Sequence, residues 1–178
     1  MDKFKILNLK FKIKSGFTFI EFLVYIGILT IILTIFINMF STIADFRLEA
    51  EATSNVQQDG NYLLNKFIYD ISHAQSINIP SYSSLGFPTD TLQLTIDGIN
   101  YTYGVDASKH LIRSGNDGDN QLNGYDTTIS NLRFTRFGQE DKYIYDILKV
   151  SFTVNSVAKK TSGYETQLFE TTVGLREK

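Results

Sequence analysis

Lys14-Ser15-Gly16-Phe17-Thr18-Phe19-Ile20-Glu21-Phe22-Leu23-Val24 opens an apolar run that carries no charge from Phe22 to Ala44. Sixteen of the 24 residues from Phe17 to Phe40 are Phe, Ile, Leu or Val. At roughly −0.3 to −0.6 kcal/mol each, they outweigh one glutamate by a few kcal/mol. As a helix the run would span about 36 Å, enough to cross a bilayer. Glu21 is the exception. A carboxylate near mid-bilayer costs roughly 2.5–3.5 kcal/mol on insertion scales, so such groups usually have a partner and a purpose.

On the N-terminal side lie Lys3, Lys5, Lys10, Lys12 and Lys14 against one acid, Asp2. With these lysines before the run and Asp45 after it, the expected orientation is N-in, C-out. Three readings fit the segment. A cleaved secretory signal has an apolar core of about 7–15 residues followed by small residues at the cut. This run is longer, and Thr42-Ile43-Ala44 is a poor cleavage site. A plain signal anchor would leave Glu21 at the headgroup edge. The third reading places processing before the helix, at Gly16, and keeps the apolar segment in the mature protein.

The stretch from Lys14 to Val24 resembles the class III signal of type IV prepilins and pseudopilins, whose motif is a basic leader, a glycine, an aromatic or methionine, a small hydroxyl residue, two aliphatics and a glutamate. Phe19 stands where leucine is commoner. The resemblance implies that a prepilin peptidase removes residues 1–16 by cutting between Gly16 and Phe17, and that Phe17 is then N-methylated. After cleavage the Phe17 amine would lie one helical turn from Glu21. In a filament of parallel helices, the resemblance implies that Glu21 pairs with the Phe17 amine of a neighbour. An unpaired carboxylate in low dielectric is costly, so this pairing would favour one axial register. Glu21 is then an assembly residue. The implied partners are the peptidase, other pilin or pseudopilin subunits, and an inner-membrane assembly platform with its ATPase. The implied location is the bacterial inner membrane, single-pass with the head outside, and then a filament.

Beyond the membrane segment, Val56, Leu63, Leu64, Phe67, Ile68, Ile71 and Ala74 follow helical spacing, with Gln57, Gln58, Asn61, Asn65, Lys66 and Asp70 as a polar face. This predicts one long helix over about 17–77, with a membrane half over 17–44 and an amphipathic half within 45–79. Asp59-Gly60 is a weak point, because interior glycine costs about 1 kcal/mol relative to alanine. It is the place where a bend or a break would fall. Asn78-Ile79-Pro80 should end the helix, since the residue before proline avoids the α region.

After Pro80 the period changes to two. Thr91–Ile96 alternates, Asp97-Gly98 is a hairpin turn, and Ile99–Tyr103 alternates again. Further strands are expected at Lys109–Arg113, Thr128–Phe137, Tyr145–Val154 and Glu165–Leu175. Sequential strands with short loops predict an antiparallel sheet over 80–178. The fold class is therefore α+β, pilin-like, with a long N-terminal helix packed on that sheet. Gln58, the segment Leu63–Ala74, Tyr101 to His110-Leu111-Ile112-Arg113, and Gly124 to Phe137 are similar to J-type minor pseudopilins and W-type minor pilins. That likeness implies a minor subunit. Where many pilins carry a proline well inside the helix, this chain has Asn38.

The net charge is −2, and removing the leader's five lysines and one aspartate leaves about −6. A dedicated nucleic-acid surface is normally basic, so nucleic acid is not an expected partner. Arg133, Arg136, Lys142 and Lys149 among Phe134, Phe137, Tyr143 and Tyr145 have the composition of a single-strand binder. Alternation on a half-buried sheet gives the same pattern. There is no cysteine, so no disulfide or thiolate metal site is available. Ser114-Gly115-Asn116-Asp117-Gly118-Asp119-Asn120 holds the best calcium ligands, Asp117 and Asp119, although the same residues dominate turns. No cofactor is otherwise expected. His73 and His110 fall in different elements without a nucleophile or carboxylate at triad-like positions, so no enzyme is expected. Arg47, Glu49 and Glu51 either pair between subunits or mark the membrane exit. Lys159-Lys160-Thr161-Ser162-Gly163 reads as a solvated hairpin loop. The function implied by the resemblance is a minor pilin or pseudopilin subunit of a type IV pilus or type II secretion-like filament. The alternative is a membrane-anchored binding module whose helix only tethers the β head.

Overall fold

The structure is a computed structural model and describes residue 16 and residues 18–138, 146–160 and 163–175. Its contacts divide the chain into two units, Met1–Ile43 and Ala44–Lys178. Helix α1 runs from Phe19 to His73. Its first part, in the N-terminal unit, exposes its large apolar side chains, from Phe19 at 77% to Ile26 and Ile32 at 44%. It is long and apolar enough to cross a membrane and can serve as a membrane anchor or a signal sequence.

The second unit is built on the remainder of α1. Ala52, Val56, Gly60, Leu63, Phe67, Asp70 and Ile71 are buried at steps of three and four, the stripe an amphipathic helix needs. Leu64 is only partly buried and Ile68 is 40% exposed, at the margin of that stripe. The strands are β1 (Ser76–Ile79), β2 (Leu92–Ile96), β3 (Ile99–Val105), β4 (Leu111–Gly115), β5 (Gly118–Gln121), β6 (Thr127–Phe137), β7 (Ile147–Lys160) and β8 (Gly163–Gly174). All pairings are antiparallel, as the alternating pattern and short turns predict. The chain is an α+β protein, consistent with the expected pilin-like arrangement.

Two expectations need correction. The helix ends at His73, not near residue 77, and the head begins at Ser76, not at residue 80. Gln75 N–H donates to Thr95 O at 2.7 Å, and Ser76 and Ile77 pair with Thr95 and Leu94. Strand pairing therefore captures the segment before Pro80 comes into play. The β region is also two sheets, ordered β1-β2-β3-β4-β5 and β6-β7-β8. Asn123 turns the chain between them. Its side-chain oxygen accepts Leu111 N–H at 2.8 Å and its amide donates to Thr127 O at 2.8 Å, so β6 does not follow β5 as the next strand. As expected of one long helix, α1 passes through Gly60 without a break.

Gly60 is a packing residue. A Cβ placed there would lie 2.0 Å from the Phe169 ring, and Phe169 is itself buried and stacked on Phe152. The missing side chain lets α1 approach β8, and this close approach offsets the helix cost of glycine. Gly60→Ala is expected to destabilise the head by about 1–3 kcal/mol through overpacking, although alanine is the better helix former. A denaturation midpoint at or above that of the natural chain would contradict this.

The expected Asp97-Gly98 turn is present. Asp97 has φ 50° and Gly98 φ 75°, the two positive values a tight hairpin of this kind requires. The core lies between α1 and the two sheets. Phe67 sits at its centre, with ring centroids 5.7 Å from Tyr103 on β3, 5.5 Å from Phe134 on β6 and 5.9 Å from Phe152 on β7.

Candidate functional site

The start of α1 is built by its own sequence. Thr18 precedes the first helical residue and Glu21 is the third. Thr18 N–H and Thr18 Oγ1–H each donate to Glu21 Oε2 at 3.1 Å, and Glu21 N–H donates to Thr18 Oγ1 at 3.3 Å. This is a capping box, which satisfies backbone donors that the first turn would leave open. The signal was present in Thr18-Phe19-Ile20-Glu21, a hydroxyl residue followed three positions later by a glutamate before an apolar run. Gly16 is exposed. Phe17 lies outside the described residues, as do its expected methylation and the pairing of its amine.

The two proposed calcium ligands sit in a hairpin. Gly115 and Gly118 pair as the last residues before the β4–β5 turn, and Asp119 pairs with Ser114. The Asp117 carboxylate accepts Arg113 NH2 at 2.8 Å and Asn120 Nδ2 at 3.1 Å. A cation would have to compete with that guanidinium. Among the described residues no group of three His, Cys, Asp or Glu is placed to hold a metal ion.

The basic and aromatic residues near β6 are not gathered into one surface. Arg136 is buried, with its guanidinium 3.7 Å from the centre of the Tyr82 ring. It donates to Ile77 O at 2.8 Å, to Pro80 O at 3.0 Å and to the Asp146 carboxylate. It is a structural anchor for the segment that follows β1. Arg133 lies beside the irregular register between Ser130 and Arg133. Lys149 pairs with Glu170 across the sheet at 2.8 Å. Lys142, Tyr143 and Tyr145 lie outside the described residues.

His73 stacks on Tyr69 at 4.1 Å, with Nδ1 2.8 Å from Tyr69 O. His110 stands edge-on to Tyr125 and 3.8 Å from the Asp106 carboxylate. His73 ends α1, and His110 lies in the turn just before β4 rather than in a strand. Glu49 is 3.6 Å from Lys160, which also pairs with Glu165, so Glu49 has a partner within the chain. The hairpin comes where expected, but Lys159, Lys160 and Gly163 are paired strand residues of β7 and β8 rather than a solvated loop, and Thr161 and Ser162 lie outside the described residues.

Two acids missed by the sequence analysis join α1 to the strands. Asp59 accepts Gly124 N–H at 2.8 Å and the Thr127 hydroxyl, which fixes the entry to β6. Asp70, counted above as a polar-face residue, is buried. Its carboxylate accepts the Tyr103 hydroxyl at 2.6 Å and Lys66 Nζ at 2.9 Å. Burial, and then the bond to Asp70, push the Tyr103 phenol well above its usual range, so it stays a donor. A cleft of about 240 Å³ beside this pair is lined by Lys66, Asp70, Tyr101 and Arg113. Its charges are matched within the protein, Lys66 by Asp70 and Arg113 by Asp117. Periodicity alone has no means of separating Asp59 and Asp70 from solvated acids, because their partners beyond the helix are at least 33 residues away.

The chain matches no family model, no characterised protein and no solved structure.

Proposed function

We propose that this chain is a prepilin-like membrane protein, processed at Gly16, that joins a pilus or secretion-type filament as a minor subunit. The observation that carries this reading is the position of Glu21. It is the one carboxylate at the start of an exposed, membrane-length apolar helix, one helical turn after Phe17 and behind a lysine-rich leader. An α+β head follows, a combination that suits a subunit which packs by its helix and displays its sheet. In the membrane, the capping box satisfies Glu21 within the chain. After the leader is cut, the free amine of a neighbouring Phe17 offers a full charge, a stronger partner than a hydroxyl in low dielectric. Docking that makes this pair fixes the axial register. The leader has to be removed first, because it caps the amine. The peptidase and the motor supply the catalysis, and this chain supplies the docking surface. Before assembly it would sit in the inner membrane, single-pass, with the head outside.

Glu21→Ala is expected to abolish incorporation into filaments while the protein persists in the membrane at its normal level. Thr18→Val, which removes one leg of the capping box and leaves the carboxylate, should reduce assembly far less. Filaments that incorporate the Glu21→Ala protein normally would contradict the assembly role.

A further inference from the structure

The cleft beside Asp70 is walled by the last turns of α1, the β2–β3 turn, Tyr101 of β3 and Arg113 of β4. It holds a donor with nothing to bind. Among the described residues, Arg113 Nε is the one buried side-chain nitrogen or oxygen without a hydrogen-bond partner. Its guanidinium is held in place, 4.8 Å from the centre of the Tyr101 ring and tied through NH2 to Asp117 at 2.8 Å. Burying a donor without an acceptor is costly, so a ligand oxygen that reaches Nε–H recovers the loss.

The other polar groups of the cleft are of both kinds. His73 Nδ1 lies 2.8 Å from Tyr69 O. A carbonyl only accepts, so Nδ1 carries the proton and Nε2 of the neutral ring is an acceptor. The exposed Asp97 carboxylate accepts as well. Lys66 adds an ammonium with three donors, one of them directed to Asp70. Tyr69, 60% exposed and stacked on His73, supplies an aromatic wall.

This set selects among ligands. The lining carries two cations, Lys66 and Arg113, and two acids, Asp70 and Asp97, so it favours neither an anion nor a metal ion. An extended peptide has no strand edge to join here. β2 is paired on both sides, by β1 and β3, and β3 by β2 and β4. At about 240 Å³ the cleft is smaller than the roughly 300–1,000 Å³ of ordinary ligand pockets, so it takes one ring and no oligomer.

We propose that this cleft binds a single neutral sugar ring. Ring and hydroxyl oxygens accept from Arg113 Nε–H and Lys66, hydroxyls donate to His73 Nε2 and Asp97, and the C–H face of the ring lies against Tyr69. A polyol matches a mixed set of donors and acceptors because each hydroxyl is both. The site does not depend on processing at Gly16 or on filament assembly.

The full chain is tested in a zwitterionic detergent, because sugar-headed detergents would compete. Glucose, galactose and N-acetylglucosamine are the probes, with acetate and an N-acetylated dipeptide amide as the anionic and peptide alternatives. Saturation-transfer NMR reads the bound ligand. At least one sugar is expected to bind with a Kd of about 1–10 mM, and acetate and the peptide amide about ten-fold more weakly or worse. Tyr69→Ala should weaken sugar binding about ten-fold. Arg113→Lys keeps the charge beside Asp117 but removes Nε–H, and should weaken it about five-fold. Tyr125→Ala, at an exposed aromatic outside the cleft, should leave it unchanged. Urea unfolding of each variant confirms that the head remains folded. Failure to bind any sugar, tighter binding of acetate or the peptide amide, or sugar binding unchanged by either Tyr69→Ala or Arg113→Lys would overturn the proposal.

Discussion

Arg136→Ala is expected to lower the stability of the head by about 3–5 kcal/mol, the cost of breaking a buried ion pair from one side. The side chain is 2% exposed. Its Nε donates to Asp146 Oδ1 at 3.2 Å, its NH2 to the other carboxylate oxygen, and its NH1 to the carbonyls of Ile77 and Pro80. Truncation leaves Asp146 without its cation and removes the donor from two carbonyls. It also strips the cation from the face of Tyr82. Arg136→Lys should recover less than half of the loss, because one ammonium has no planar fork with which to reach four acceptors. Arg133→Ala, three residues away and exposed, is the control and should change stability by less than about 1 kcal/mol. Urea denaturation of the full chain in mild detergent, followed by tyrosine fluorescence because there is no tryptophan, measures all three. Equal effects at Arg133 and Arg136 would contradict the anchoring role.

Phe67→Ala should cost a similar amount, about 3–5 kcal/mol. Phe67 belongs to α1, yet its ring meets Tyr103 of the five-stranded sheet and both Phe134 and Phe152 of the three-stranded sheet. It is 1% exposed. Alanine removes the ring that the two sheets share and leaves a cavity which two twisted sheets cannot close together. Phe67→Leu should cost less, since part of the volume remains. Ile68→Ala changes the next residue, at 40% exposure, and should cost less than about 1 kcal/mol. If the two alanine variants unfold alike, Phe67 is not the point at which helix and sheets meet.

What the sequence made legible follows from range. The apolar run, the period of α1 and the Asp97-Gly98 turn are local signals, written in residues that touch their own neighbours. They placed the helix, six of the eight strands, with β7 running six residues past its expected end at Val154, and the α+β class. The division into two sheets rests on Asn123, whose bonds to Leu111 and Thr127 look like ordinary turn chemistry in the sequence. Gly60 reads as a weak point until Phe169, more than a hundred residues later, is seen to occupy the space of its missing side chain. Ser76–Ile79 reads as a helix end because its strand partner, β2, is not adjacent. Asp59, Asp70 and Arg136 look like surface charges for the same reason. At the helix start, the Thr18–Glu21 box is fully local and legible in Thr18-Phe19-Ile20-Glu21.

The central claim is that Gly16 and Phe17 flank a processing site and that Glu21 serves the new N-terminus. Intact mass and N-terminal sequence of the protein, expressed with and without a prepilin peptidase, test it most directly. The account predicts a chain that begins at N-methylated Phe17 only when the peptidase is present. A chain that keeps its leader in both cases, or begins near Asp45, would contradict it. Such a chain would be a simple anchored or secreted α+β domain, in which Glu21 does no more than cap its helix.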